Sequence, residues 1–577
     1  MDRPGEVPRA GACHSRRDVA GRGPMKKGSA FAGSTGRQSG RRAPTGREFE
    51  HPVAFWAGAL ACTAGVLLHF PMYLHASDMG YKLVGMPADP AMITGMVLIA
   101  GGLLASLYGL VPRRSRELQC SSGRIQVRAM DDAPIRPAHI ALVIVLVIAV
   151  TIDVMKPTSL AFVAPGFAEE YGLKSPANPQ GTIPVSWLPL AGITGTVIGS
   201  WIWGVLGDRI GRRASLIFAG MIFVATSICG AMPGFTWNLV MCLLMGIGAG
   251  GMLPITFALI AETIPARHRG WLMVLIGGNI AGAYVITSWL AGWLIPTYSW
   301  RILWLIGLPT GLIFIALNRW IPESPRFLLA RGRTEEAEAV MARYGAAVQE
   351  TEPEEAEARL PLKQAGYRTL FRRPLLGSTV GITILGIGVG LMTYGFQQWV
   401  PTNLQHLGYS TGKSNYVVRN AALLGLPFTV LTAWMYGVWG SRKTIVTVSG
   451  VTVVPLLGFV VGGDALADRQ LLLSLLLVVP LAGVSSLAAV VTGYAAEVYP
   501  TLLRSRGTGL AAAMTKAGGV VILALTVAAA TVPSIATTAL IGAVPLLLAA
   551  LVFAWGCPET KQRSLEEISQ DLTVANT

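Results

Sequence analysis

Long apolar stretches alternate with short polar ones along the chain. Stretches of about 20 apolar residues, the length a helix needs to cross a bilayer, begin near Val53 and end near Trp555. Two come early, at 53–74 and 91–110. Six follow a basic loop, at 140–162, 187–205, 215–232, 237–261, 271–294 and 302–320. A charged stretch intervenes, and six more follow at 375–400, 416–436, 444–461, 471–495, 507–530 and 534–555. The pattern predicts an all-α polytopic membrane protein of 14 spans. Its expected layout is a basic tail (1–50), an extra two-helix hairpin (51–112), a linker (113–138), an N-terminal six-helix bundle (139–320), a central loop (321–372), a C-terminal six-helix bundle (373–556) and a tail (557–577).

Charge orients this layout. The loop after the second early span carries Arg113, Arg114, Arg116, Arg124, Arg128 and Arg136, and the loop between core spans two and three carries Arg209, Arg212 and Arg213. These fall on one side with the basic central loop, so that side is expected to be cytoplasmic, with both termini inside a plasma or inner membrane. The first 50 residues hold eleven Lys or Arg and no periodicity, which reads as a disordered tail and not a cleaved signal. Met25-Lys26-Lys27 offers an alternative start. A net charge of +15 with only 13% charged and 52% hydrophobic residues argues against a nucleic-acid partner; the lipid bilayer and a small solute are the expected partners. The cysteines fall in spans or on the cytoplasmic side, so neither a disulfide nor a metal site is expected. Nothing in the sequence specifies an oligomeric state.

The chain repeats itself. Glu262-x2-Pro265-x3-Arg269 at the end of core span four returns 235 residues later as Glu497-x2-Pro500-x3-Arg504, and Gly204-Val-Leu-Gly207 returns 233 residues later as Gly437-Val-Trp-Gly440. Two motif pairs at nearly one offset imply duplicated six-helix halves. The run Gly204-Val-Leu-Gly207-Asp208-Arg209-Ile-Gly211-Arg212-Arg213 resembles the loop 2–3 signature of the major facilitator superfamily. Pro322-Glu323-Ser324-Pro325-Arg326 after span six, echoed by Pro558-Glu559-Thr560, is similar to the signature of its sugar-porter and organic-ion branch. The resemblance covers roughly residues 137–570. It implies alternating access, with Asp208, Arg209, Arg212, Arg213, Glu262, Arg269, Glu323, Arg326, Glu497 and Arg504 in a cytoplasmic latch that holds the outward-open state. Asp208 is expected to accept hydrogen bonds from helix N-termini. In the second half Ser441 stands where Asp208 would, so the latch is expected to be asymmetric.

Ionisable groups within spans are costly and mark transport sites. Asp153 and Lys156 in core span one are spaced i, i+3 and can pair on one face; Lys516 lies in span eleven, and Arg419 near the outer end of span eight. Asp153 is the candidate proton carrier, and Lys156 and Lys516 the candidate anchors for a negative solute. Gln397, Gln398 and Asn279 are further cavity candidates, the glutamines resembling the hydroxyl-binding pair of sugar porters. The run Asp153-Val154-Met155-Lys156 departs from the Asp-Gly-aromatic-Asp pattern of aromatic-acid transporters, keeping only the first acid. Cys242, Leu243 and Leu244 stand where many relatives carry an Arg before Gly246. No catalytic constellation appears. The expected function is secondary transport of an organic anion with no cofactor beyond a coupling ion, a proton being favoured. A sugar or polyol porter is the rival within the fold, and a non-transporting membrane sensor the rival outside it.

Overall fold

A backbone in hydrocarbon must satisfy its own hydrogen bonds, so each apolar stretch becomes a helix. The computed structural model describes residues 51–87, 89–111, 125–126, 130–131, 133–175, 178, 180–346, 349–350, 367–400, 404, 411–466, 469–529 and 534–560. The basic tail 1–50, most of the linker, the acidic part of the central loop and the end of the C-terminal tail lie outside the described residues. Among those described, 13 helices are long and apolar enough to cross a membrane, and a further apolar helix, Ile302–Leu317, is shorter. That segment is the sixth core span; it is divided at Ile306, which makes it less uniform than its hydropathy suggests.

Helix α1 (Pro52–Leu67), extended by α2 (Phe70–His75), packs antiparallel to α3 (Pro90–Leu110) through small residues. A Cβ on Gly58 would lie 2.5 Å from the Gly102 carbonyl, and one on Gly65 would lie 2.6 Å from that of Gly95. The N-terminal bundle comprises α4 (Pro137–Tyr171), α5 (Trp187–Ile210), α6 (Arg212–Ala225, tightening into a 3-10 turn at Thr226–Ala231), α7 (Phe235–Ala249) with α8 (Met252–Thr263), α9 (Ala266–Gly278) with α10 (Ile280–Tyr298), and α11 (Ile302–Leu305) with α12 (Gly307–Leu317). The hairpin packs against α6. Helix α4 runs beyond residue 162, where hydropathy predicts its end, and stops at Gly172 with φ +62°.

Between the bundles lie α13 (Pro325–Ala330), α14 (Thr334–Tyr344) and α15 (Tyr367–Leu370). Helix α14 lies within the stretch expected to form the central loop (321–372). The described strands are a two-residue antiparallel pair, β1 (Ile125–Gln126) with β2 (Gln349–Glu350), joining the linker to the central loop. The C-terminal bundle comprises α16 (Leu376–Leu391, followed by a π turn at Met392–Gln397), α17 (Thr411–Trp439), α18 (Ser441–Gly462), α19 (Gln470–Val498), α20 (Thr501–Ala529) and α21 (Ile535–Gly556). The bundles meet where α5 packs on α20 and α9 packs on α17 and α19.

Candidate functional site

The two glycine turns match at another register than the sequence motifs suggested: Gly440 answers Gly211 and not Gly207, which places Ser441 at Arg212 and Gly437 at Asp208. Gly211, between α5 and α6, has φ +101° and ψ 162°, and Gly440, between α17 and α18, has φ +97° and ψ 170°. Only glycine adopts this region readily. Each glycine also faces a carboxylate that caps the following helix, satisfying amides left orphaned at its first turn. Glu323 accepts from the Arg212 amide at 2.8 Å and from the Arg213 amide at 3.3 Å. Glu559 accepts from the Ser441 amide at 2.7 Å and from the Arg442 amide at 3.2 Å. A Cβ on Gly211 would lie 2.3 Å from Glu323, and one on Gly440 would lie 2.6 Å from Glu559. Burial pushes the Glu323 carboxyl above the usual range, against the pull of these amides and the Arg212 guanidinium. The Pro-Glu-Ser/Thr motifs are thus helix caps for the other motif's glycine turn. Sequence reasoning gave that role to Asp208; Asp208 instead pairs with Arg212 at 3.5 Å and, across the bundles, with Arg506 at 3.8 Å.

Around these turns the two bundles are joined by buried charge. Arg504 of α20 meets Glu262 of α8 at 3.2 Å, and Arg269 of α9 meets Glu497 of α19 at 3.7 Å. Each bond is the other's counterpart under the internal repeat. Glu262 also holds Arg212 at 3.0 Å within its own bundle, and Glu497 accepts from the Tyr436 hydroxyl at 2.8 Å and the Thr560 hydroxyl at 2.6 Å. The Tyr367 hydroxyl donates to the Trp201 carbonyl at 3.1 Å; burial, helped by the Asp208 charge, pushes it up to about 12. Arg209 is exposed, and its carbonyl accepts from Arg331; Arg326 reaches Asp131 at 3.6 Å. This end of the molecule, the motif end, is closed.

Within the spans the structure separates the pair that spacing suggested. Lys156 turns into the N-terminal bundle, where its ammonium donates to the Phe223 carbonyl at 2.9 Å and the Thr226 hydroxyl at 3.3 Å and sits 4.4 Å from the Phe223 ring centroid. The Phe223 carbonyl is available because α6 ends within the next turn. A cavity of about 20 Å³, room for one water, adjoins Lys156 between Met155, Ser159, Thr287 and Thr310. Asp153 is 4% exposed, and its Oδ1 has no hydrogen-bond partner among the described residues. Lys516 is half-buried in α20 of the other bundle and forms no ion pair with Asp153. Asn279, at the joint between α9 and α10, donates to the Thr151 hydroxyl. Gln397 and Gln398 lie half-buried at the π turn, a distortion that often accompanies functional sites. Arg419 is exposed and bonds the Asn420 side chain at 3.0 Å. At the opposite end, Ile193 of α5 and Ile522 and Leu523 of α20 form an apolar cluster against Leu190, Tyr394 and Trp399. The Trp399 indole nitrogen is buried there without a partner among the described residues. No group of three metal-ligating side chains converges among the described residues.

Residues 159–572 match the family described as Sugar (and other) transporter. The chain belongs to that family. It is a multi-pass membrane transporter of major facilitator fold, not an enzyme. The family member is 26% identical over 402 residues to the niacin transporter NiaP of Acinetobacter baylyi, covering 68% of this chain and 88% of that protein. It is 25% identical over 401 residues to the 4-hydroxybenzoate transporter PcaK of the same organism (68% and 85% covered). It is 27% identical over 401 residues to the arabinose-proton symporter of Bacillus subtilis (65% and 84%). Among solved structures, the proton:xylose symporter XylE bound to 6-bromo-6-deoxy-D-glucose superposes with a TM-score of 0.60 at 20% identity, covering 77% of this chain and 99% of that one. The family match begins at Ser159, inside α4, and leaves α1 to α3, the linker, Asp153 and Lys156 outside it.

Several residues of consequence gave no signal in the sequence. Glu170, past the predicted end of the first core span, pairs with the fully buried Arg301 at 2.7 Å and accepts the Leu83 amide at 2.8 Å. Together with the Tyr73 hydroxyl on the Tyr298 carbonyl at 2.6 Å, this fastens the extra hairpin to the N-terminal bundle. Asp131 and Arg506 join the motif-end network from positions that no periodicity marks.

Proposed function

We propose that this protein moves a small organic anion, a carboxylate, across the membrane by alternating access, coupled to protons. The observation that carries the proposal is the buried Asp153 carboxylate, whose Oδ1 has no hydrogen-bond partner among the described residues, together with the half-buried Lys516 in a span of the other bundle. An acid and a base divided between two bundles that rock against each other form a group whose separation changes with each cycle. Lys516 supplies the cation for a solute carboxylate, and Asp153 takes up a proton when the solute draws Lys516 away. The Trp399 indole and the Gln397 and Gln398 amides supply hydrogen bonds for the solute's remaining polar atoms. The solutes named for NiaP and PcaK, niacin and 4-hydroxybenzoate, are aromatic carboxylates, which supports this class. Lys156, occupied by the Phe223 carbonyl, is a structural cation and not an anchor.

In this reading the motif end faces the cytoplasm, both termini are cytoplasmic, and the structure is closed on the cytoplasmic side. A sugar or polyol is the second reading, favoured by Gln397 and Gln398 and by the resemblance to the arabinose-proton symporter. Purified protein in proteoliposomes, given an inward proton gradient and radiolabelled nicotinate, 4-hydroxybenzoate or arabinose, distinguishes the two. Gradient-dependent uptake of the carboxylates supports the proposal, and uptake of arabinose alone overturns it.

A further inference from the structure

The linker that follows the extra hairpin reaches into the motif-end closure at one residue. Asp131 is 5% exposed in its side chain, and its Oδ1 lies 3.0 Å from Arg269 Nη1 while its Oδ2 lies 3.6 Å from Arg326 Nη2. Its carbonyl accepts from the Ala266 amide at the start of α9 at 3.0 Å. The preceding Met130 is 2% exposed and belongs to the apolar cluster of Ile264, Leu272, Ile321 and Met341. On the other side, Arg136 donates to the Ala342 carbonyl of α14 at 3.2 Å. This part of the linker is therefore built into the N-terminal bundle.

Arg269 thus has two carboxylates, and they differ in what happens when the motif end opens. Glu497 belongs to the C-terminal bundle and leaves. Asp131 belongs to the N-terminal side and stays. A buried guanidinium stripped of its partner is strongly unfavourable. We infer that Asp131 is a positioning residue for alternating access: it shares Arg269 with Glu497, weakens the cross-bundle bond while closed, and keeps Arg269 paired once open. The linker thereby sets how readily the motif end opens. Asp131 lies upstream of Ser159, where the family match begins.

The test reads the conformational balance without any solute, so its outcome is independent of which solute is carried; it rests only on alternating access. Val274 on α9 is fully buried against the C-terminal bundle, in one cluster with Tyr436, Leu487 and Val491. Val274→Cys therefore reports opening of the motif end through its rate of maleimide labelling, measured above the parent background in full-length protein in proteoliposomes. In the Val274→Cys background, Asp131→Asn leaves Arg269 to Glu497 and lowers the labelling rate on the order of tenfold. Glu497→Gln in the same background raises it. A merely structural Asp131 loosens the packing when changed and raises labelling together with a fall in melting temperature. An unchanged or raised rate for Asp131→Asn, with Glu497→Gln responding, overturns the inference. Asp131→Glu, which keeps the charge, restores the parent rate; if it behaves as Asp131→Asn does, charge sharing is not the cause.

Discussion

Replacing Glu262 by Gln removes a charge at the centre of the closure while preserving its shape. The Glu262 side chain is fully buried, and its Oε1 lies 3.0 Å from Arg212 and 3.2 Å from Arg504. Arg212 keeps Asp208 at 3.5 Å and the Gly207 carbonyl at 3.0 Å, so its half of the loss is cushioned and is felt in both states. The bond to Arg504 crosses the bundles and exists only while the motif end is closed. A hydrogen bond to a charged group contributes about 1.5–3 kcal/mol. Gln keeps an acceptor oxygen but not the charge, which forfeits about half of that and shifts the closed-to-open ratio roughly 4- to 13-fold toward open. Labelling of Val274→Cys in proteoliposomes reads the shift, with size-exclusion chromatography confirming that the variant is folded. An unchanged or slower labelling rate refutes the reasoning, because it means that the cross-bundle bond contributes nothing to closure.

Three further outcomes are expected. Gly211→Ala and Gly440→Ala each force a side chain into a glycine-only conformation and toward a capping carboxylate; each costs at least about 1–3 kcal/mol, read as a lower melting temperature in detergent. Glu170→Ala leaves the fully buried Arg301 without its carboxylate and releases the hairpin amides, at about 3–5 kcal/mol. Protease cleavage between α2 and α3 then becomes faster than in the parent, whereas unchanged cleavage means that the hairpin is held by its helices alone. Lys156→Gln retains carboxylate uptake and Lys516→Gln abolishes it, measured as initial rates; the reverse pattern restores Lys156 as the anchor.

Much of the fold was legible because it follows from one-dimensional rules. Span lengths come from bilayer thickness, and the internal repeat marks Glu262, Arg269, Glu497 and Arg504 as members of one charge network, though not which acid meets which arginine. The departures share a cause: tertiary partners that sequence spacing does not carry. Asp153 and Lys156 stand three residues apart, yet the early end of α6 offers Lys156 a carbonyl, and Asp153 is left buried with no hydrogen bond to its Oδ1 among the described residues. Asp208 sits next to a helix start but is supplanted as its cap by Glu323, more than a hundred residues away. Asp131 stands in a linker with no apolar period to mark it as buried. Arg419, whose position suggested the cavity, is exposed beside Asn420.

The most direct test of proton-coupled anion transport is uptake of labelled nicotinate and 4-hydroxybenzoate by parent and Asp153→Asn protein in proteoliposomes, with and without an inward proton gradient. Parent uptake is expected to rise with the gradient. Asp153→Asn is expected to lose that stimulation while still exchanging solute at equal pH, since Lys516 remains to hold it. Gradient-stimulated uptake undiminished in Asp153→Asn contradicts the assignment of Asp153 as the proton carrier, and absence of carboxylate uptake by the parent contradicts the solute class.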